Sequence, residues 1–93
     1  MAKTVKVDGI DVNVTIDPAR DYEFIEQNTI IYDPDSTTAE RNRAYFKRNR
    51  LLLGADHDRI VAEFRKAHDG QVDTTEFQRF VNSVIEGVVD AKN

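Results

Sequence analysis

The stretch TVKVDGIDVNVTI, residues 4–16, decides the fold class. Val5 and Val7 alternate with polar residues, and so do Ile10, Val12, Val14 and Ile16. Alternation with a period of two marks a strand with one buried face. Between the two runs stands Asp8-Gly9, a pair that supplies the positive φ angles of a two-residue hairpin turn. In that register Val7 faces Ile10 and Val5 faces Val12, so the branched side chains share one face. An isolated hairpin is marginal in water. Its apolar face therefore needs helices to cover it.

The rest of the chain reads as helices. Asp17-Pro18 has the form of a helix start, with Asp as N-cap and Pro at the first helical position. Tyr22, Ile25 and Thr29 follow at helical spacing, with Phe24 beside them. Ile30-Ile31-Tyr32 either ends this helix or forms a short extended piece. Asp33-Pro34-Asp35-Ser36 interrupts the pattern, because Pro disfavours helix at the residue before it. A second helix is predicted from Ser36 or Thr37 to Leu53, closed by Gly54 as a left-handed cap. A third is predicted from about Asp56 to Ala67, with Ile60, Val61, Phe64 and Ala67 on one stripe; His68-Asp69-Gly70 ends it. Asp73-Thr74-Thr75-Glu76 then has the spacing of a capping box, with Asp in place of Ser or Thr. Behind it Phe77, Phe80, Val81, Val84, Ile85 and Val88 form the cleanest amphipathic pattern in the chain. Residues 90–93 are polar and are expected to fray. The predicted class is α+β, mainly α: one domain over 1–93, a hairpin within 3–16, and about four helices over 17–93.

Composition narrows the function. A chain of 93 residues makes one small domain with a thin core, so self-association or a partner would add stability. Hydrophobic residues at 40% and charged residues at 32% describe a globular chain. Cys is absent, which removes disulfides and thiolate chemistry. Met1-Ala2-Lys3-Thr4 begins no apolar signal region, and no apolar run approaches the ~20 residues that span a bilayer. A soluble, cytoplasmic protein is expected. The net charge of −4 favours solubility and speaks against nucleic acid as the main partner.

Several local patterns imitate chemical sites. DGQVDTTEF, residues 69–77, matches the second half of a calcium loop if Gly70 is its sixth position. The first and third positions would then be Arg65 and Ala67, a cation and a side chain with no ligand atom. The turn reads as structural instead: Val72 tucks into the core, and Asp73 and Glu76 cap the next helix. His57 and His68 are eleven residues apart, ~16 Å along a continuous helix, too far to share an ion. No metal and no cofactor are expected. Ser36 and Ser83 lack the flanking glycines of a nucleophile elbow, and the four glycines are isolated, so no phosphate loop exists. These patterns point away from catalysis.

The segment ERNRAYFKRNR, residues 40–50, is the strongest competing signal. Arg41, Arg43, Lys47, Arg48 and Arg50 surround Tyr45 and Phe46, and such a helix can contact phosphates and stack on bases. A nucleic-acid-binding regulator is the alternative function. Basic residues facing acidic helices of a neighbouring subunit account for the same asymmetry.

The order of the pieces resembles the small tail assembly chaperones encoded by long-tailed phages and prophages. The resemblance rests on Asp21-Tyr22-Glu23-Phe24, on Leu51-Leu52-Leu53-Gly54, on Asp69-Gly70 followed by Val72, and on Phe77 with the Val84-Ile85-Glu86 run. It is firmest over residues 51–87. The stretch 27–50 departs from the family in being more polar, more basic and interrupted by Pro34. The resemblance implies a non-catalytic protein that binds the tape measure protein, keeps its apolar helices soluble and helps recruit tail tube protein. It also implies self-association, a frameshifted longer form in many members, and departure before the virion matures. Candidate partner-binding residues are Tyr45, Phe46, Leu51 and Leu52, with those of Phe77, Phe80, Val84 and Val88 that the core leaves exposed. The final stripe looks longer than a small core needs.

Overall fold

The structure is a computed structural model and describes residues 2–90. Strands β1 (Lys3–Val7) and β2 (Ile10–Val14) form an antiparallel hairpin. It is followed by α1 (Tyr22–Tyr32), α2 (Thr38–Leu53), a single 3-10 turn (Gly54–Asp56), α3 (His57–Ala67) and α4 (Thr74–Asp90). The fold is thus α+β and mainly α, as the sequence predicts. The fraying expected over 90–93 lies outside the described residues, apart from Asp90, whose backbone closes α4.

The hairpin has the predicted register, Val5 opposite Val12 and Val7 opposite Ile10. Asp8 and Gly9 both take positive φ, 52° and 79°, as a turn matched to the strand twist requires. Val12 and Val14 are fully buried, and Val5, Val7, Ile10 and Ile16 pack against the same core. α4 crosses this face so closely that a Cβ at Gly87 would stand 2.5 Å from Val5 Cγ1. The outer edge of β2 is closed by the region after α2. Asn13 N–H donates to Asp56 Oδ2 at 2.8 Å, and Arg59 donates to the Asp11 carbonyl at 2.7 Å.

The first helix starts four residues later than predicted. Asp17 Oδ1 accepts from the Ala19 N–H at 3.0 Å, two residues on, and its carbonyl accepts from Arg20 and Asp21. That is an Asx turn, the local alternative such side chains offer to a helix cap. The chain extends again at Asp21, whose Oδ2 accepts the Phe24 N–H at 3.0 Å and caps α1. Ile30-Ile31-Tyr32 is the helix end, not an extended piece. Its last carbonyls are satisfied by side chains from beyond it. Ser36 Oγ donates to Ile30, and the Arg41 guanidinium donates to Ile31, Asp33 and Ser36.

α2 opens with a full capping box: Glu40 N–H donates to Thr37 Oγ1, and Thr37 N–H donates to Glu40 Oε1. The Thr37 backbone N–H first, and then the Thr37 hydroxyl, hold the Glu40 carboxyl below its usual pKa. Gly54 ends α2 with φ 52° and ψ −130°. Its φ is positive but the pair is not left-handed helical, and the chain continues into the 3-10 turn. In α3, Ile60 is buried and Val61 and Phe64 are partly so, whereas Ala67 is exposed and leaves the predicted stripe. At the head of α4 the Asp73 Oδ1 accepts the Glu76 N–H at 3.0 Å. The Glu76 carboxylate turns to His68 Nε2 at 3.2 Å.

The core lies between the hairpin, α2, α3 and α4. Phe64 meets Phe77 and Phe80 edge to face, at 5.1 and 5.3 Å between centroids. Truncating such a ring typically costs ~3–5 kcal/mol. α1 packs mainly along α2 at the side of this core.

Candidate partner-binding site

The core consumes most of the predicted contact residues. Leu52, Phe77, Phe80, Val84 and Val88 are all buried. The stripe of α4 is therefore no longer than the core requires. The reason is the hairpin: its branched face is covered by α4, and Phe64 of α3 covers the other end of the same stripe. Leu51 and Tyr45 are half-buried, and Tyr45 lies under the Arg48 guanidinium, 5.1 Å from its centroid. Phe46 alone of the predicted set projects outward, 53% exposed.

The face that sequence reading missed belongs to α1. Tyr22, Ile25 and Tyr32 are 81%, 45% and 66% exposed, and exposed Thr29 lies between them. These four positions follow the i, i+3, i+7, i+10 spacing of one helix face. The Thr29 hydroxyl donates to the Ile25 carbonyl at 2.9 Å, so its polar atom is turned back to its own helix. Arg20, Tyr22, Ile25, Glu26, Thr29 and Ile30 line a depression of about 540 Å³ along this face. The inward stripe is instead Phe24, Gln27 and Ile31. α1 thus carries apolar residues on two faces, and periodicity alone names both without choosing between them. The helix is held at each end, by Asp21 and by Arg41, so the outward face is presented on a fixed support.

Contiguous large apolar groups in water are the informative exception on a soluble surface. Tyr and Ile on one helix face suit docking of a second amphipathic helix, since both supply contact area with few rotatable bonds. A larger depression, about 770 Å³, runs over Val61 and Ala62 of α3 between the side chains of Arg59, Glu63, Arg65 and Lys66. Long charged side chains laid over a helix surface produce such a shape.

The basic segment does not form one surface. Arg41 turns back to the end of α1, and Arg48 is fully buried. Arg43, Lys47 and Arg50 face outward. Arg43 and Lys47 share a groove of about 390 Å³ with Glu26, Asp33 and Glu40, so acidic groups lie among them.

The remaining polar candidates are engaged locally. His57 Nδ1 lies 2.8 Å from Asp58, and its ring meets the edge of Phe77. His68 pairs with Glu76 over the ring of Phe64. Arg65 donates to the Gly70 carbonyl at 2.8 Å, which places a cation across the loop that imitates a calcium site. Ser36 and Ser83 hydroxyls donate to the carbonyls of Ile30 and Arg79. Among the described residues no cluster of three His, Cys, Asp or Glu is arranged to hold a metal. Among them, too, no helix is long and apolar enough to cross a membrane. No protein-family model, curated protein or solved structure matches the chain.

Proposed function

We propose that this protein is a non-catalytic tail assembly chaperone of a phage or prophage, acting in the host cytoplasm. In this reading it binds the tape measure protein, self-associates, assists assembly of the tail tube and is left behind by the mature virion. The observation that carries the reading is the exposed face of Tyr22, Ile25 and Tyr32 on a helix anchored at both ends. A chaperone for long apolar helices needs a surface that covers them reversibly, and helix-on-helix docking through a short apolar stripe supplies one. The order of sequence pieces that resembles the tail chaperones supports the same reading. The alternative, a nucleic-acid regulator, loses Arg41 and Arg48 to internal contacts and keeps three outward cations, of which Arg43 and Lys47 lie beside carboxylates.

Co-expression with the tape measure protein of the same phage tests the proposal. The wild-type chain should co-purify with it and raise its soluble yield. A Tyr22→Ser, Ile25→Ser, Tyr32→Ser variant should lose that effect while keeping its melting temperature. If the wild-type chain does neither, the chaperone reading fails. If the triple variant performs as well as wild type, the role stands and the α1 site is wrong.

A further inference from the structure

Arg48 is the largest fully buried side chain among the described residues, with no solvent exposure. Its guanidinium is surrounded by neutral groups. Nη1 donates to Asn28 Oδ1 at 3.1 Å, and Nη2 reaches Gln78 Oε1 and Asn82 Oδ1, both at 3.4 Å. Nε is buried and has no acceptor. Among the described residues no carboxylate lies within 4.0 Å of it. A buried cation normally has a counter-charge, because desolvation is otherwise uncompensated.

The unmet part of the group has a definite shape. Nε and Nη2 form the side-on edge of a guanidinium, whose two parallel N–H bonds fit the two oxygens of one carboxylate. Nη1, outside that edge, is already well bonded to Asn28. On the edge itself one nitrogen is unpartnered and the other has two bonds at the long limit. Gln78 and Asn82, the holders of those long bonds, are also walls of a groove of about 440 Å³ between α2 and α4. Tyr45 and Arg79 line the same groove. Asn82 is exposed and Gln78 half-buried, so both amides have room to turn away.

We propose that the Nε–Nη2 edge of Arg48 receives one carboxylate, carried by a Glu or Asp side chain of a partner protein's helix seated in the α2–α4 groove. Gln78 and Asn82 hold the place of that carboxylate in the isolated chain. The site lies one layer behind the groove wall, which a side chain on a helix can reach. A nucleic-acid backbone would need a row of cations, and Arg79 is the one cation among the residues that line the groove. The inference concerns a different face from α1 and does not depend on the chaperone reading.

The test follows the Arg48 Nε–H resonance in arginine-labelled protein. Sodium acetate replaces sodium chloride at constant ionic strength; in parallel, a soluble Ala-rich helical peptide with one Glu is titrated against its Gln twin. The Arg48 signal should move with acetate. It should move with the Glu peptide at about tenfold lower concentration, because the peptide adds groove contacts that acetate lacks, and stay still with the Gln peptide. Asn82→Asp should raise the melting temperature and abolish both responses, because it supplies the carboxylate internally. A silent Arg48 signal in acetate overturns the site. So does an Asn82→Asp variant that melts lower or still responds. A response to acetate with no advantage for the Glu peptide assigns the edge to small free carboxylates and overturns the partner helix.

Discussion

Replacing Gly87 with Ala sets two effects against each other. Ala is better than Gly inside a helix by ~1 kcal/mol, so α4 alone would gain. The new Cβ, however, would stand 2.5 Å from Val5 Cγ1. Apolar carbons settle at ~3.5–4.0 Å, so α4 and β1 must part by about 1 Å. Val5 cannot relieve the contact alone, since a β-branched side chain in a strand has little χ1 freedom. Overpacking of this kind costs ~1–3 kcal/mol. The net effect should be a loss of ~1 kcal/mol, which lowers the melting temperature by ~4–8 °C in a domain of this size. A double-mutant cycle isolates the cause. In a Val5→Ala background the clash is gone, and Gly87→Ala should stabilise by ~1 kcal/mol, giving a coupling of ~2 kcal/mol. Thermal melts of the four proteins by circular dichroism measure it. Equal effects of Gly87→Ala in both backgrounds would refute the reasoning.

Other perturbations address α1 and α2. Tyr22→Ser should change stability by less than ~0.5 kcal/mol, while Phe24→Ala, two residues away, should cost ~3–5 kcal/mol; denaturant titration separates them. Arg41→Ala removes the donor to the carbonyls of Ile31, Asp33 and Ser36 and should cost ~2 kcal/mol, seen also as faster amide exchange in the last turn of α1. The Glu40 carboxyl titrates lower folded than unfolded, first because of the Thr37 backbone N–H. Its contribution is therefore complete above the unfolded value of 4.5 and is lost as pH falls through the folded value. The melting temperatures of wild type and Glu40→Gln should converge as pH drops below that point.

The readable parts of this fold were those in which one residue type has one physical use. Asp8-Gly9 between alternating branched residues has few other solutions, and the register followed from it. Asp73, three residues before Glu76, marked a helix start because its side chain satisfies an N–H group of the first turn, whereas the Thr37–Glu40 box that opens α2 emerged only in the structure. Asp17 misled because a second Asp stood four residues later. One closed an Asx turn and the other capped the helix. Tyr22 and Ile25 misled because α1 is apolar on two sides and only packing selects between them. Arg48 was hidden for a different reason. Five cations in eleven residues read as a solvated face, and no local signal distinguishes the one that meets Asn28, Gln78 and Asn82, up to 34 residues away.

The closure of the β2 edge has a consequence for how the chain tolerates change. Asp56 and Arg59 grip the main chain of Asn13 and Asp11, not their side chains. Main-chain atoms are the same whatever residue occupies a position. In a saturation library scored for folded protein, positions 11 and 13 should therefore accept many substitutions, Pro at 13 excepted because it lacks the N–H. Positions 56 and 59, whose side chains do the gripping, should accept few.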